Sequence, residues 1–407
     1  MSEAARATAG RVRAAARIAA VPAPRPASFA AEVRDSAGAI DVAAWDALRG
    51  RHDPFMDVRW LRAVETSLAR DASFRHVLFR DAAGRPVASA CLSTYAADGA
   101  VLAGHGVAGR VARGLRRISP WLVTYPIAFC GLPVSAGQGH LRVAPGVDPT
   151  PILAALDVIL ESFARERRAR CIVLKEFGDD ELPLVASAPG LGYVRADSLP
   201  VHQVALPPGD FESYVAGLPR KRRADARAAA RKLAAGGLRT LTTSDPDLID
   251  RLVTPETHRL YEAVVARSET RLEVLPAAFF RAVVRAVPDS SEMCFLLDGD
   301  RVVGFCLSMF DGAAYRPLFL GLDYAHNRAH DLYFNILYAA IGNALHRGSR
   351  LVVLGQTADH CKATKFGSGQ VARHLFVRGV GFAMRHVVRL AAPHLFPPRP
   401  ITVPFDA

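Results

Sequence analysis

Residues 315–367 read YRPLFLGLDYAHNRAHDLYFNILYAAIGNALHRGSRLVVLGQTADHCKATKFG, and the order of patterns within them decides the fold. From Asp331 the apolar residues Leu332, Ile336, Leu337, Ala340, Ile341, Ala344 and Leu345 recur at three- and four-residue spacing, which predicts a helix. Asp331 is placed to cap it and Gly348 to stop it. The continuous apolar run Leu351 to Leu354 has the form of a strand buried on both faces, which belongs inside an α/β layer. A polar loop follows with Gly355, Gln356, Asp359, His360, Lys362, Lys365 and Gly367. It lies past the carboxyl end of that strand, where open α/β sheets bind ligands.

Working outward, the same patterns occur twice. Arg85 to Tyr95 (RPVASACLSTY) echoes Arg301 to Phe310 (RVVGFCLSMF) with one extra residue, as a β-bulge would make. Arg168 to Leu174, after a helical stretch at Pro151 to Arg165, echoes Gly348 to Leu354 after the helix at Asp331 to His346. Two matching segments in one order predict a duplicated domain. The first copy is longer between its echoes, so an insertion of about 35 residues falls within 96–147. It holds Arg110, Arg113, Arg116, Arg117, Trp121, Tyr125 and the Gly-rich loop Gly131 to Gly139. A substrate-contacting flap and a long surface excursion are the two readings of it. The first ordered helix is expected at His52-Asp53-Pro54-Phe55, with Asp as its cap and Pro at its first position.

Phe211 to Leu218 starts a helical stretch that ends at Gly236-Gly237 and carries Arg220, Arg223, Arg227 and Arg231 on one narrow face. Guanidinium groups in such a ridge suit a phosphate-bearing ligand; a solvated helical face is the alternative.

The order of helix, Gly348, buried strand ending at Gly355, loop with Gln356, Asp359 and His360, lysine and Phe366-Gly367 resembles the C-terminal signature of Fem-like acyltransferases of the GNAT superfamily. The basic run ahead of the second half is similar too. The resemblance implies an α/β chain of two tandem GNAT-like domains, each a mixed central sheet flanked by helices, with a basic helical linker. The divisions expected are a flexible extension at 1–28, an N-terminal domain at 29–200, a C-terminal domain at 201–392 that includes the basic helix 211–235, and a tail at 393–407. The activity implied is transfer of an acyl group from an activated donor to a small-molecule or peptide amine. Acyl-CoA is the preferred donor and co-substrate, with aminoacyl-tRNA, the donor of Fem-like relatives, as the alternative. A catalytically idle protein that recognises a ligand in the same cleft is the competing class.

Acyl transfer needs a deprotonated nucleophile, a held donor and stabilisation of the oxyanion. Candidate bases are Asp323, Asp359, His360 and, at the matching edge of the first half, Glu176. Lys362, Lys365, Gln356, Tyr315, Arg220, Arg223 and Arg227 are the candidate substrate-binding residues, and Lys362, Lys365 and His360 are expected to line one cleft. The segment Asp323 to His330 stands where other GNAT enzymes carry a glycine loop for the coenzyme A pyrophosphate, and it contains no glycine.

Composition sets the outer limits. A chain of 407 residues predicts two domains, and a formal charge of +12 favours anionic partners such as phosphates, nucleic acid or an acidic membrane face. Six scattered cysteines without a CxxC pair read as buried thiols, and His326 with His330 lacks a third ligand, so no metal is expected. P-loop, zincin, serine-hydrolase and Rossmann signatures are absent. No apolar run reaches the length of a membrane span, and a cytoplasmic protein is expected.

Overall fold

The computed structural model describes residues 29–50, 53–98, 114, 124–134, 137–268 and 274–405. Fifteen strands among them form two sheets. In the first half these are β1 (Ala30–Arg34), β2 (Ala72–Arg80), β3 (Pro86–Asp98), β4 (Thr124–Cys130), β5 (Leu141–Val143), β6 (Cys171–Phe177) and β7 (Val194–Asp197). The second half has β8 (Val201–Ala205), β9 (Arg239–Thr243), β10 (Ser291–Asp298), β11 (Arg301–Phe310), β12 (Ala314–Leu322), β13 (Leu351–Gly355), β14 (Gly369–Val371) and β15 (His374–Gly379). The helices, in chain order, are α1 (Val42–Arg49), α2 (Val58–Leu68), α3 (Pro149–Glu166), α4 (Phe211–Gly217), α5 (Arg220–Ala235) and α6 (Pro246–Leu252). They continue as α7 (Pro255–Arg267), α8 (Ala277–Ala286), α9 (Tyr324–His330), α10 (Leu332–His346), α11 (Asp359–Phe366) and α12 (Gly381–Leu395). None of these helices is long and apolar enough to cross a membrane.

The first sheet runs β1-β2-β3-β4-β6-β15-β7 and the second β9-β10-β11-β12-β13-β8-β14. Matched position by position, every neighbouring pair has the same sense: antiparallel, except for the parallel pairs β4 with β6 and β12 with β13. The echoed segments, β3 with β11 and β6 with β13, occupy equivalent places, so the duplication read from the sequence is a duplication of architecture.

The sixth strand of the first sheet, β15, comes from the second half, and the sixth of the second sheet, β8, follows directly on β7 of the first. β7 stays in the first sheet while β8, three residues on, pairs with β13. β14 stays in the second sheet while β15 crosses back and inserts between β6 and β7. Residues 374–379, which the sequence reading assigns to the C-terminal domain, therefore lie in the first sheet. One apolar core also runs across both halves: Trp60 on α2 meets Phe279 on α8 edge-on at 6.0 Å, and both rings are fully buried. Each such side chain contributes about 1.5–3 kcal/mol.

Two differences between the sheets shape the site. The edge of β11 is followed by β12 with a single irregularity at Leu307/Ser308, whereas along β3 the equivalent strand is broken into β4 and β5 by an excursion over residues 131–140. Residues 131–134 and 137–140 of that excursion are described and fall within the expected insertion; Arg110, Arg113, Arg116, Arg117 and Trp121 lie outside the described residues. Secondly, β4 and β6 pair from Ile127–Cys171 to Cys130–Leu174, but β12 and β13 pair only at Ala314–Leu351 and Tyr315–Val352 and then diverge. The gap between two parallel strands thus opens in the second half.

Local expectations were met unevenly. α10 stops as expected at Gly348, at φ 72°, with Ser349 N–H donating to Ala344 O at 2.9 Å. Asp331 does not cap it with its side chain: it sits at φ 49° and its carboxylate pairs with Lys232 at 2.9 Å. The helix expected at Asp53 is one 3-10 turn, Pro54–Met56, and the α-helix starts after Asp57, which accepts from Arg59 N–H at 2.8 Å. Asp53 instead receives Arg142 at 2.7 Å.

Candidate functional site

The carboxyl ends of β6 and β13 meet at the junction of the halves. Gln356, just past β13, donates from Nε2 to Glu176 Oε2 at 2.7 Å and to the Leu199 carbonyl at 2.9 Å, and Ser198 Oγ donates to the other Glu176 oxygen at 3.2 Å. Glu176 has φ 69°, a left-handed conformation that costs a non-glycine residue of order 1–3 kcal/mol and concentrates at functional sites. Burial pushes its pKa up, opposed by Lys175, Ser198, Arg373 and Gln356.

That shift has a definite sign in stability. An acid whose folded pKa exceeds its unfolded value binds its proton more tightly when folded, so its contribution is complete below the unfolded pKa and is lost as pH rises through the folded one. Wild-type stability is expected to fall with pH in that window. Urea titrations of Glu176→Gln at several pH values should show the fall removed; an unchanged profile would mean the carboxylate is not strained by burial.

The loop expected after β13 is in fact α11, from Asp359 to Phe366, entered through Ala358 at φ 63° and ended by Gly367 at φ 68°. Folding this stretch as a helix turns Lys362 and Phe366, four residues apart, to the inside. The Lys362 side chain runs back toward β13, where a Cβ added to Gly355 would lie 3.9 Å from Nζ. Lys362 is 4 % exposed, and burial pulls its pKa down to about 8 against the opposing pull of Asp359 and Cys361. A lysine so placed at the carboxyl edge of an α/β sheet is a candidate functional residue.

Asp359 is held beside it from the neighbouring strand. His202 on β8, opposite Gly355, reaches Asp359 Oδ1 from Nε2 at 3.0 Å and Ser368 Oγ from Nδ1 at 2.9 Å. With both ring nitrogens engaged, His202 orients the carboxylate rather than acting as a free base. Its pKa is lowered by burial, partly offset by the bond to Asp359. The Asp359 side chain is half exposed.

Other candidates are placed elsewhere. His360 is exposed, and Lys365 points along α11 to Asp225 on α5 at 2.8 Å, so Lys362, Lys365 and His360 face different surroundings. Tyr315 is buried and donates to Glu292 at 2.7 Å within the core. Asp323 caps α9 by accepting from Ala325 N–H at 3.0 Å and pairs with Arg301 at 2.5 Å and His326 at 3.0 Å. It borders a cleft of about 640 Å³ lined in part by Arg251, Arg267 and Tyr324. On α5, Arg220, Arg227 and Arg231 are exposed, while Arg223 donates to the carbonyls of Ala216 and Leu218 at the end of α4. Three of the four arginines of the ridge are therefore exposed. α5 lies against α11 through Arg222, whose Nε donates to Thr364 O at 3.1 Å.

His202, Ser198 and Ser368 were missed in the sequence. Their one signal is polar residues in otherwise apolar strand ends, and it gains meaning only when β8 is known to lie beside β13. Among the described residues no group of His, Cys, Asp and Glu is placed to hold a metal.

The acetyltransferase (GNAT) domain family matches residues 220–363, from the first residue of α5 to the residue after Lys362. No curated protein shows detectable sequence similarity to the chain. Among solved structures, FemX is 11% identical with a TM-score of 0.54, covering 88% of this chain and 99% of that one. A tandem GNAT protein from the clavulanic acid biosynthesis pathway is 12% identical with a TM-score of 0.50, covering 87% and 99%. The C-terminal domain of a putative lysylphosphatidylglycerol synthetase from Agrobacterium fabrum is 14% identical, also at 0.50, covering 87% and 96%. Residues 220–363 thus match the acetyltransferase (GNAT) domain family, and the matched sheets, with the parallel strands that part at β12 and β13, give the chain a fold similar to that of FemX and of the tandem GNAT protein.

Proposed function

We propose that the protein transfers an acyl group from an activated donor to an amine at the junction of its halves. The observation that carries this reading is the buried Lys362 with a pKa near 8, set against a carboxylate that His202 holds in place. The acceptor nitrogen attacks the donor carbonyl while its proton passes to Asp359. As the carbonyl oxygen gains charge, the Lys362 ammonium stabilises it, and the C–S or C–O bond to the donor then breaks with protonation of the leaving group. A cation in a water-poor site is worth far more than in solution. Glu176 holds Gln356, and with it the loop between β13 and α11, from the opposite half.

Acyl-CoA is the donor of the first reading, in keeping with the acetyltransferase family match. Two observations favour aminoacyl-tRNA as the second. The Ala325 amide at the start of α9, where a pyrophosphate would sit, is already engaged by the Asp323 carboxylate, and the exposed arginines of α5 run beside α11. Phosphate-backbone binding weakens steeply with salt through counterion release.

The test is turnover of labelled acetyl-CoA and of labelled aminoacyl-tRNA with amine acceptors, at two salt concentrations. Transfer from either donor is expected to fall by about 10²–10⁴-fold in Asp359→Asn, the range of a lost general base. Salt-sensitive transfer from tRNA alone, weakened by charge reversal at Arg227 and Arg231, would select the second donor. Silence with both donors would replace the enzyme by a ligand-recognition protein.

A further inference from the structure

The last helix, α12, turns an apolar face outward. Its inner side, through Val388 and Ala392, packs on the first half, while Phe382 is 90% exposed, Leu390 63% and Val387 55%. At 100° per residue these three, with Ala383 and Pro393, fall on the arc opposite Val388, interrupted only by His386 and His394. A helix packed on a globular domain normally shows polar residues there, and a contiguous exposed apolar face marks an interaction surface.

The charges around this face are mostly positive. No acidic residue occurs from Val380 to Phe405, and Arg385 and Arg389 line one edge of the helix. At its start the Val380 N–H donates to Arg170 O at 2.8 Å, which brings the exposed Arg167, Arg168 and Arg170 beside it. The nearby acids are already engaged: Glu161 holds Arg378, Arg385 and Arg165, and Glu166 holds Arg75 and Arg167.

We propose that α12 docks on the surface of an anionic lipid bilayer. A helix with aromatic and aliphatic residues on one side and arginines along the edge lies in the plane of the interface, its apolar residues in the acyl boundary and its cations at the phosphates. Charge complementarity selects an anionic bilayer over a neutral one, and the exposed apolar residues Phe382, Val387 and Leu390 select a bilayer over a soluble polyanion. The excess positive charge of the whole chain acts in the same direction.

The full-length protein should be sedimented with phosphatidylcholine vesicles and with vesicles containing phosphatidylglycerol, at low and high salt. About tenfold more protein is expected on the anionic vesicles, decreasing with salt. The double substitution Phe382→Asp with Leu390→Asp should abolish that excess. Both side chains are exposed, so circular dichroism and the melting temperature should match the wild type and certify the fold. Equal binding to the two vesicle types, or anionic binding that survives the double substitution, would overturn the proposal. So would a wild-type dimer that the same substitution converts to monomer, because the face would then join two copies of the chain.

Discussion

Lys362→Met is expected to lower the rate of acyl transfer by about 10²–10³-fold, the range for removing one group that stabilises a developing oxyanion. The same variant should be at least as stable as the wild type. Lys362 is buried with its amine pulled toward neutrality, and an apolar side chain of similar length relieves the desolvation without opening a cavity. The pH profiles give an independent reading. A lysine with a lowered folded pKa binds its proton less tightly than in the unfolded chain, so stability should rise with pH between about 8 and the ordinary lysine value. The rate, which needs the ammonium form, should fall over the start of that interval. Both slopes should be absent from the Met variant. Full activity in Lys362→Met would remove the lysine from the chemistry and with it the proposed mechanism.

Arg378→Met is expected to produce the largest loss of stability, about 3 kcal/mol, because it removes a buried cation from the half-buried carboxylates of Asp157 and Glu161. Arg378 lies on β15, 1% exposed, with its guanidinium 4.9 Å over the Tyr193 ring. Its Nη2 is 2.7 Å from Asp157 and 2.8 Å from Glu161 on α3, ion-pair distances without the in-line geometry of a hydrogen bond. The clamp therefore ties a strand from the second half to a helix of the first. Glu161 keeps Arg165 and Arg385, and Tyr193 still donates to Asp157, which holds the loss below the upper limit for a broken buried pair. Urea unfolding would measure it, and a loss under about 1 kcal/mol would show that the site relaxes or hydrates.

What could be read in the sequence was what is decided locally. Helix α10, its glycine stop, the buried β13 and the repeated hairpins follow from spacing and turn chemistry over ten or so residues, and they suffice for the fold class. Helix α11 was read as a loop because its eight residues carry one buried polar side chain, Lys362, at a position where an apolar one would have revealed the period. Asp331 has the composition of a cap, but its backbone is left-handed and its carboxylate finds Lys232, about a hundred positions away. The site suffered most. Glu176 is a candidate by its equivalent edge position, but its contact with Gln356 and the pairing of His202 with Asp359 depend on which sheets β8 and β15 join, and neither VHQVA nor HLFVRG states it.

That crossing also constrains how the protein comes into being. The first sheet ends at β6 until β15 arrives, and β15 is translated about 200 residues later. At ordinary rates of synthesis that is roughly 10–40 s during which the open edge of β6 has no partner from its own chain. An unpaired edge whose residues are all buried in the finished fold is a template for wrong pairing. Such a nascent chain is a natural client for chaperones at the ribosome, and its first half cannot mature one domain at a time.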